Sequence, residues 1–269
     1  MRPRARRIAA ILLRLFYLLR GSTARIVPLF VWQVLEVVLW GLISHYLNAI
    51  SAARFNFVTV LLGAIVLWEF LVRSLHGMVI GFMEDVWSRN FLNLFAAPLS
   101  VGEYLAGLVL FSSATSVIVL TVVVIFAKLV FGLAFFKYGL MLIPFLLLLF
   151  LFGIALGIFG AAIVLRWGPA AEWLIWPFPA MLSPLACVFY PLSALPYWLQ
   201  WPARLVPPSY IFEGLRAIIQ GRGVALEPML VCTVLTLGTL LLACWGFIRT
   251  YRHTVRTGLL ARYSAETVN

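Results

Sequence analysis

Apolar residues run along this chain in long uninterrupted stretches, separated by short polar or basic breaks, instead of alternating with polar ones. Six such stretches cover about 26–47, 57–83, 104–127, 139–165, 172–195 and 228–248. At ~1.5 Å per residue, each is long enough to cross a hydrocarbon layer roughly 30 Å thick as a helix. The pattern predicts an all-α integral membrane protein with six transmembrane helices. The first 25 residues differ. On a helix Arg7, Arg14 and Arg25 share a face, while Ile8, Leu12, Leu15, Phe16 and Leu19 supply apolar surface, which predicts an amphipathic helix lying at the membrane interface. The run that follows, Ile26 to Leu47, is too long for the apolar core of a signal peptide and reads as a retained span.

The fifth stretch is broken. Nine of the chain's fourteen prolines lie between Pro169 and Pro208. Proline removes a backbone donor and clashes with the preceding turn, so no continuous helix carries this density. Within a membrane such a backbone survives only against protein or a water-filled cavity. An apolar segment too broken to cross simply points to a transport pathway or its gate.

Composition fixes the class. The chain has 269 residues, is 64% hydrophobic and 11% charged, and its mean hydropathy is +1.06, which excludes a soluble domain. The net charge is +11, and its arginines gather near segment ends, so topology explains the charge better than nucleic acid does. The two termini together with Arg89 and Arg166 hold thirteen basic residues, against six on the opposite side (Arg54, Lys128, Lys137, Arg204, Arg216, Arg222). That bias predicts both termini in the cytoplasm. Cys187, Cys232 and Cys244 lie in apolar runs without a Cys-x-x-Cys motif and imply neither disulfide nor metal. No repeat or linker divides the chain, so residues 1–269 read as one transmembrane domain.

Between the second and third spans, residues 84–97 predict a short helix of two to three turns across the membrane ends. Phe91, Leu94 and Phe95 fall at i, i+3 and i+4 and would form an exposed apolar face that invites a partner protein. Inside the first two spans, Glu36, Glu69 and Arg73 share a similar depth, and isolated charges there are costly. A buried network of these three is expected, either as a structural latch or as a proton relay. Gly153, Gly157 and Gly160 give the fourth span a flat face for close helix approach, within the subunit or between subunits. The three histidines are scattered, and hydrolase and metal-protease motifs are absent, so no catalytic residue, bound cofactor or metal is expected. The only lysines, Lys128 and Lys137, lie outside any P-loop pattern. If ATP drives this chain, another subunit must supply the site.

Two regions carry a family resemblance. One is Ala97-Pro98-Leu99-Ser100 with Glu103-Tyr104-Leu105-Ala106-Gly107. The other runs from Ser183-Pro184 through Phe189-Tyr190-Pro191-Leu192-Ser193-Ala194-Leu195-Pro196 to Pro207-Pro208-Ser209-Tyr210 and Glu213-x-x-Arg216. With the six-span layout, the chain resembles the ABC-2 class of ATP-binding-cassette transporter permeases, in the branch that includes drug, nodulation-factor and polysaccharide exporters. The resemblance implies a half-transporter in a bacterial cytoplasmic membrane. It would pair with a second permease, identical or related, and with two copies of a separate P-loop ATPase that binds ATP and magnesium. Helix 84–97, with Glu84, Trp87, Arg89, Phe91, Leu94 and Phe95, would couple to the ATPase, and residues 1–25 would form the interface helix beside it. Residues 172–222 would form re-entrant helices on the outer side, with Phe189, Tyr190, Pro191, Pro196, Trp198 and Trp201 at an exit gate. The implied substrate is amphipathic, lipid-linked or a glycan. An ion-coupled carrier built on Glu36, Glu69 and Arg73 is the alternative.

Overall fold

The computed structural model describes residues 3–50 and 58–258, and among them every regular element is helical. Helices α1 (Pro3–Arg20) and α2 (Thr23–Ile50) come first. A π-helical turn at Val58–Leu62 then enters α3 (Gly63–Trp87), followed by α4 (Phe91–Ala96) and α5 (Val101–Phe131). A 3-10 turn at Phe135–Met141 leads into α6 (Leu142–Trp167). The proline-rich stretch gives 3-10 turns at Pro169–Leu174 and Leu192–Ala194 and three short helices, α7 (Phe178–Leu182), α8 (Tyr197–Arg204) and α9 (Pro208–Ile219). The last helix is α10 (Leu226–Arg256).

Helix α3 is the axis of the bundle and packs against α5 and α6, while α10 lies against α6. Of its most apolar window, 89% is buried, compared with 22% for α2 and for α10. Sequence explains the contrast. Helix α2 turns a narrow seam inward, Leu29, Gln33, Val37, Gly41 and Ser44, and carries Trp32, Leu35, Leu39, Leu42 and Tyr46 outward. Helix α6 meets α3 through its glycines: a Cβ on Gly153 would sit 2.6 Å from the Leu71 carbonyl, and one on Gly157 would sit 2.6 Å from the Met78 Cβ. The small-residue face thus serves packing within the subunit. Ser100 and Glu103 form a reciprocal capping box that starts α5.

Among the described residues, five helices are long and apolar enough to span a membrane, Thr23–Ile50, Val58–Trp87, Val101–Phe131, Gly139–Trp167 and Leu226–Arg256. The expected sixth, over 172–195, is not a continuous helix: its one α-helix, α7, is five residues long. The chain nevertheless returns across the bundle there. Leu165 and Ile175 share a hydrophobic cluster with Met83, Phe91 and Phe247, whereas Val188, Phe212 and Cys232 share another with Val37 and Leu62. Residues 168–225 therefore carry the backbone from the end bearing α1 and α4 to the opposite end, in short pieces that proline permits.

Candidate functional site: the end bearing α1 and α4

The last turn of helix α3 follows a mostly apolar stretch and brings two carboxylates, Glu84 and Asp85, to the bundle rim. Asp85 is fully buried. It forms an ion pair with Arg14 of α1 and accepts a hydrogen bond from the Tyr104 hydroxyl of α5 at 2.7 Å. Glu84 pairs with Arg25 at the start of α2, 2.7 Å away, and Arg7 of α1 reaches Glu103 of α5 at 3.3 Å. Three ion pairs thus tie α1 and the foot of α2 to α3 and α5. Close contact supports them. Ile11 and Leu15 of α1 are buried, and a Cβ on Gly107 would lie 2.7 Å from the Ile11 side chain. The expected interfacial helix is docked on the bundle, with Leu13, Phe16 and Tyr17 left exposed on its other side. Arg25, expected on the same face as Arg7 and Arg14, belongs to α2.

The expected helix over 84–97 is shorter than predicted. Residues 84–87 finish α3, Arg89 takes a left-handed φ of 55°, and α4 has only six residues. The expected exposed apolar face also needs correction. Phe91 is fully buried, its ring 5.5 Å from Phe82 and 6.2 Å from Tyr104. The tight turn at Arg89 rotates α4 so that its first residue points inward. Leu94 is half-buried, Trp87, Arg89 and Asn93 are exposed, and the side chain of Phe95 lies outside the described residues. Arg2, Arg54 and Arg262 of the charge count also fall outside them.

The network of Glu36, Glu69 and Arg73 does not form. Arg73 makes no ion pair with either glutamate, and its guanidinium donates instead to Thr115 of α5 at 3.4 Å. The reason is the neighbour: α5 lies against α3 and offers hydroxyls. Ser112 donates to the Ser74 carbonyl at 2.8 Å, and Ser116 lies 3.5 Å from the Ser74 hydroxyl. The α2 residue that shares a small cavity with Glu69 and Arg73 is Gln33, one turn before Glu36.

At the opposite end the residues expected at an exit gate occupy one region. Phe189 stacks on Trp40 of α2 at 4.2 Å, and the Tyr190 hydroxyl donates to the Pro184 carbonyl at 2.9 Å. Pro191 precedes a 3-10 turn, Pro196 precedes α8, and Trp198 and Trp201 stand exposed on α8, with the Arg204 guanidinium 5.5 Å from the Trp201 ring. Glu213 of α9 accepts the Leu192 backbone N–H at 2.6 Å and also pairs with Arg216, which donates to the Val188 carbonyl at 3.4 Å. Burial raises the Tyr210 phenol above its ordinary value against the opposing pull of Arg204, so it stays a neutral donor to the Arg204 carbonyl, 2.9 Å away.

The family model of the ABC-2 type transporter matches residues 20–219, about three-quarters of the chain. The chain belongs to the ABC-2 type transporter family. Comparison with curated proteins gives no match. Membership makes the chain a multi-pass transmembrane permease subunit of an ABC transporter, a family that works with an ATP-binding subunit. The matched stretch runs from the last residue of α1 to the end of α9, so it includes Asp85, Tyr104, Glu213 and Arg216, while Arg7 and Arg14 precede it.

In this ABC-2 permease two sets of residues escaped the sequence reading. Neither Asp85 nor Tyr104 stands out by a local motif, although a carboxylate in the last turn of a span, near an arginine-rich segment, signals an ion pair. The α5 hydroxyls Ser112, Thr115 and Ser116 fall at i, i+3 and i+4, a polar stripe that marks a helix contact in a membrane. Among the described residues no group of three or more His, Cys, Asp or Glu side chains is placed to hold a metal.

Proposed function

We propose that this permease is the membrane subunit of an ATP-driven exporter whose ATPase docks at α4. Its substrate is an amphipathic, lipid-linked or glycan molecule moved outward across a bacterial cytoplasmic membrane. The observation that carries the reading is the construction of the α4 knuckle. Phe91 plugs it into the bundle, Trp87, Arg89 and Asn93 face outward, and the base is tied by Asp85 to α1 and α5. A partner pushing on α4 moves a rigid element that is wired to the bundle by buried charge. ATP binding in the partner would then shift the population of an outward-open pathway. Both termini are cytoplasmic on this reading, and the region of Phe189 to Trp201 shapes the exit. Two permease copies and two ATPase copies complete the transporter, and the exposed apolar faces of α2 and α10 supply surface for lipid or a second permease.

The test is co-purification with a P-loop ATPase encoded beside the permease, followed by hydrolysis in proteoliposomes. The expected result is a stable complex with ATP-dependent transport. Transport that follows a proton gradient and ignores ATP depletion would overturn the reading in favour of an ion-coupled carrier.

A further inference from the structure

A cavity of about 610 Å³ opens among α1, α2 and α3, within the range of small-ligand sites. Its mouth holds the Arg25–Glu84 pair and the exposed rings of Trp32 and Trp87, and its walls are the leucines of α1 and the Pro28 turn of α2. Its deep end holds Gln33, Arg73 and His76. Arg73 lies eleven residues before Glu84 on α3, so the floor is about 16 Å from the mouth along the helix.

The chemistry of the floor is unbalanced. Arg73 and Gln33 are each only 4% exposed, and the Arg73 Nε, Gln33 Oε1 and His76 Nε2 atoms are buried without a hydrogen-bond partner. Glutamate and arginine cancel at the mouth, whereas at the floor an arginine, always protonated, has no carboxylate within ion-pair distance. A buried charge without a counter-ion is strongly disfavoured in a membrane, and the open Arg73 and His76 nitrogens in a roomy apolar cavity define the ligand that completes them, while the Gln33 amide oxygen can accept from a protonated or hydroxyl group of it. Glu69, one turn along α3, is buried too, but it makes no ion pair with Arg73 and does not line this cavity.

We propose that this cavity receives the acidic head group of a membrane-borne amphiphile, with Arg73 as its counter-ion. His76, whose ring lies tilted against Trp176 at 4.6 Å between centroids, is the second donor. The apolar walls take the chain that follows the head group, and the mouth between the tryptophans admits it from the lipid. The proposal deepens the export reading by naming the cargo as an anionic amphiphile, yet binding is measured without ATPase. Loss of ATP coupling with binding intact would count against the export reading alone. Loss of selective binding would count against the cavity alone.

The test uses purified full-length permease in neutral detergent, titrated with phosphatidylglycerol or phosphatidylcholine carrying dibrominated acyl chains. Quenching is read as the emission component that disappears in Trp176→Phe. The expected result is saturable quenching by phosphatidylglycerol at a half-saturation at least tenfold lower than by phosphatidylcholine. Arg73→Gln brings that ratio close to one, Arg73→Lys retains most of it, and Glu69→Gln leaves it unchanged or larger. Inorganic phosphate at millimolar concentration does not displace the lipid. Equal quenching by both lipids on the native chain, a preserved preference in folded Arg73→Gln, or displacement by phosphate alone would overturn the proposal. Should Arg73→Gln fail to fold, the native ratio and Arg73→Lys decide it.

Discussion

At the end bearing α1 and α4, side chains hold side chains: Arg14 meets Asp85, Arg25 meets Glu84, Arg7 meets Glu103, and Phe91 sits among aromatic rings. At the opposite end, beside the Glu213–Arg216 pair, side chains mostly hold backbone. Glu213 takes the Leu192 N–H, Arg216 the Val188 carbonyl, Gln200 the Leu195 carbonyl at 2.9 Å, and Tyr190 and Tyr210 two more carbonyls. The difference follows from proline. A chain broken every few residues leaves donors and acceptors without helical partners, and buried ones must be met by something. Intact helices have no such need and can spend their polar side chains on one another. One end is thereby a clamp between whole helices that can pass on a displacement. The other is a set of local staples that keeps a discontinuous segment in one shape.

That contrast can be broken from its strongest point. Phe91→Ala should destabilise the permease by about 3–5 kcal/mol, since it empties a fully buried aromatic site, and thermal unfolding in detergent measures it. Leu94→Ala, on the same short helix and half-buried, should cost far less, and equal losses would mean that α4 is not plugged in through Phe91. Next comes Asp85→Ala, which leaves Arg14 and Tyr104 without their shared acceptor and should cost roughly 3 kcal/mol. The loss should appear as fast proteolysis within α1, and a double-mutant cycle with Arg14→Ala should show strong coupling.

Smaller effects belong to the opposite end. Glu213→Ala removes an acceptor from Leu192 and a partner from Arg216, for about 1.5–3 kcal/mol. It should raise the labelling rate of the buried Cys187 by about tenfold per 1.4 kcal/mol of lost local stability. Glu213→Gln should recover part of this, because its amide oxygen still accepts from Leu192. Trp198→Ala should change stability by less than ~0.5 kcal/mol, since the ring is 71% exposed and holds nothing in place.

How far the sequence revealed these ends depends on the range of the interaction. The helices of the bundle were legible because long apolar runs have one physical solution in a membrane, and the break at 169–208 was legible because proline acts locally. The capping box at Ser100 and Glu103 is equally local, since its two partners are three residues apart. Contacts between distant elements were not legible. Glu36 and Arg73 matched in depth, yet helix rotation placed Gln33 in the shared wall and gave Arg73 to Thr115. Phe91 obeyed the i, i+3, i+4 pattern of an exposed stripe, but one left-handed residue at Arg89 turned it inward. Arg14 and Asp85 are separated by seventy-one positions, and no local pattern pairs them.

The claim that the α4 end faces the ATPase and the α8 end does not is tested most directly by a photo-crosslinking amino acid placed at Asn93 and, separately, at Trp198. Both sites are exposed, so neither substitution should disturb folding. In membranes containing the co-expressed ATPase, the probe at 93 should capture the ATPase and the probe at 198 should not. An ATPase adduct from position 198, or none from position 93 with the complex still intact, would contradict the account.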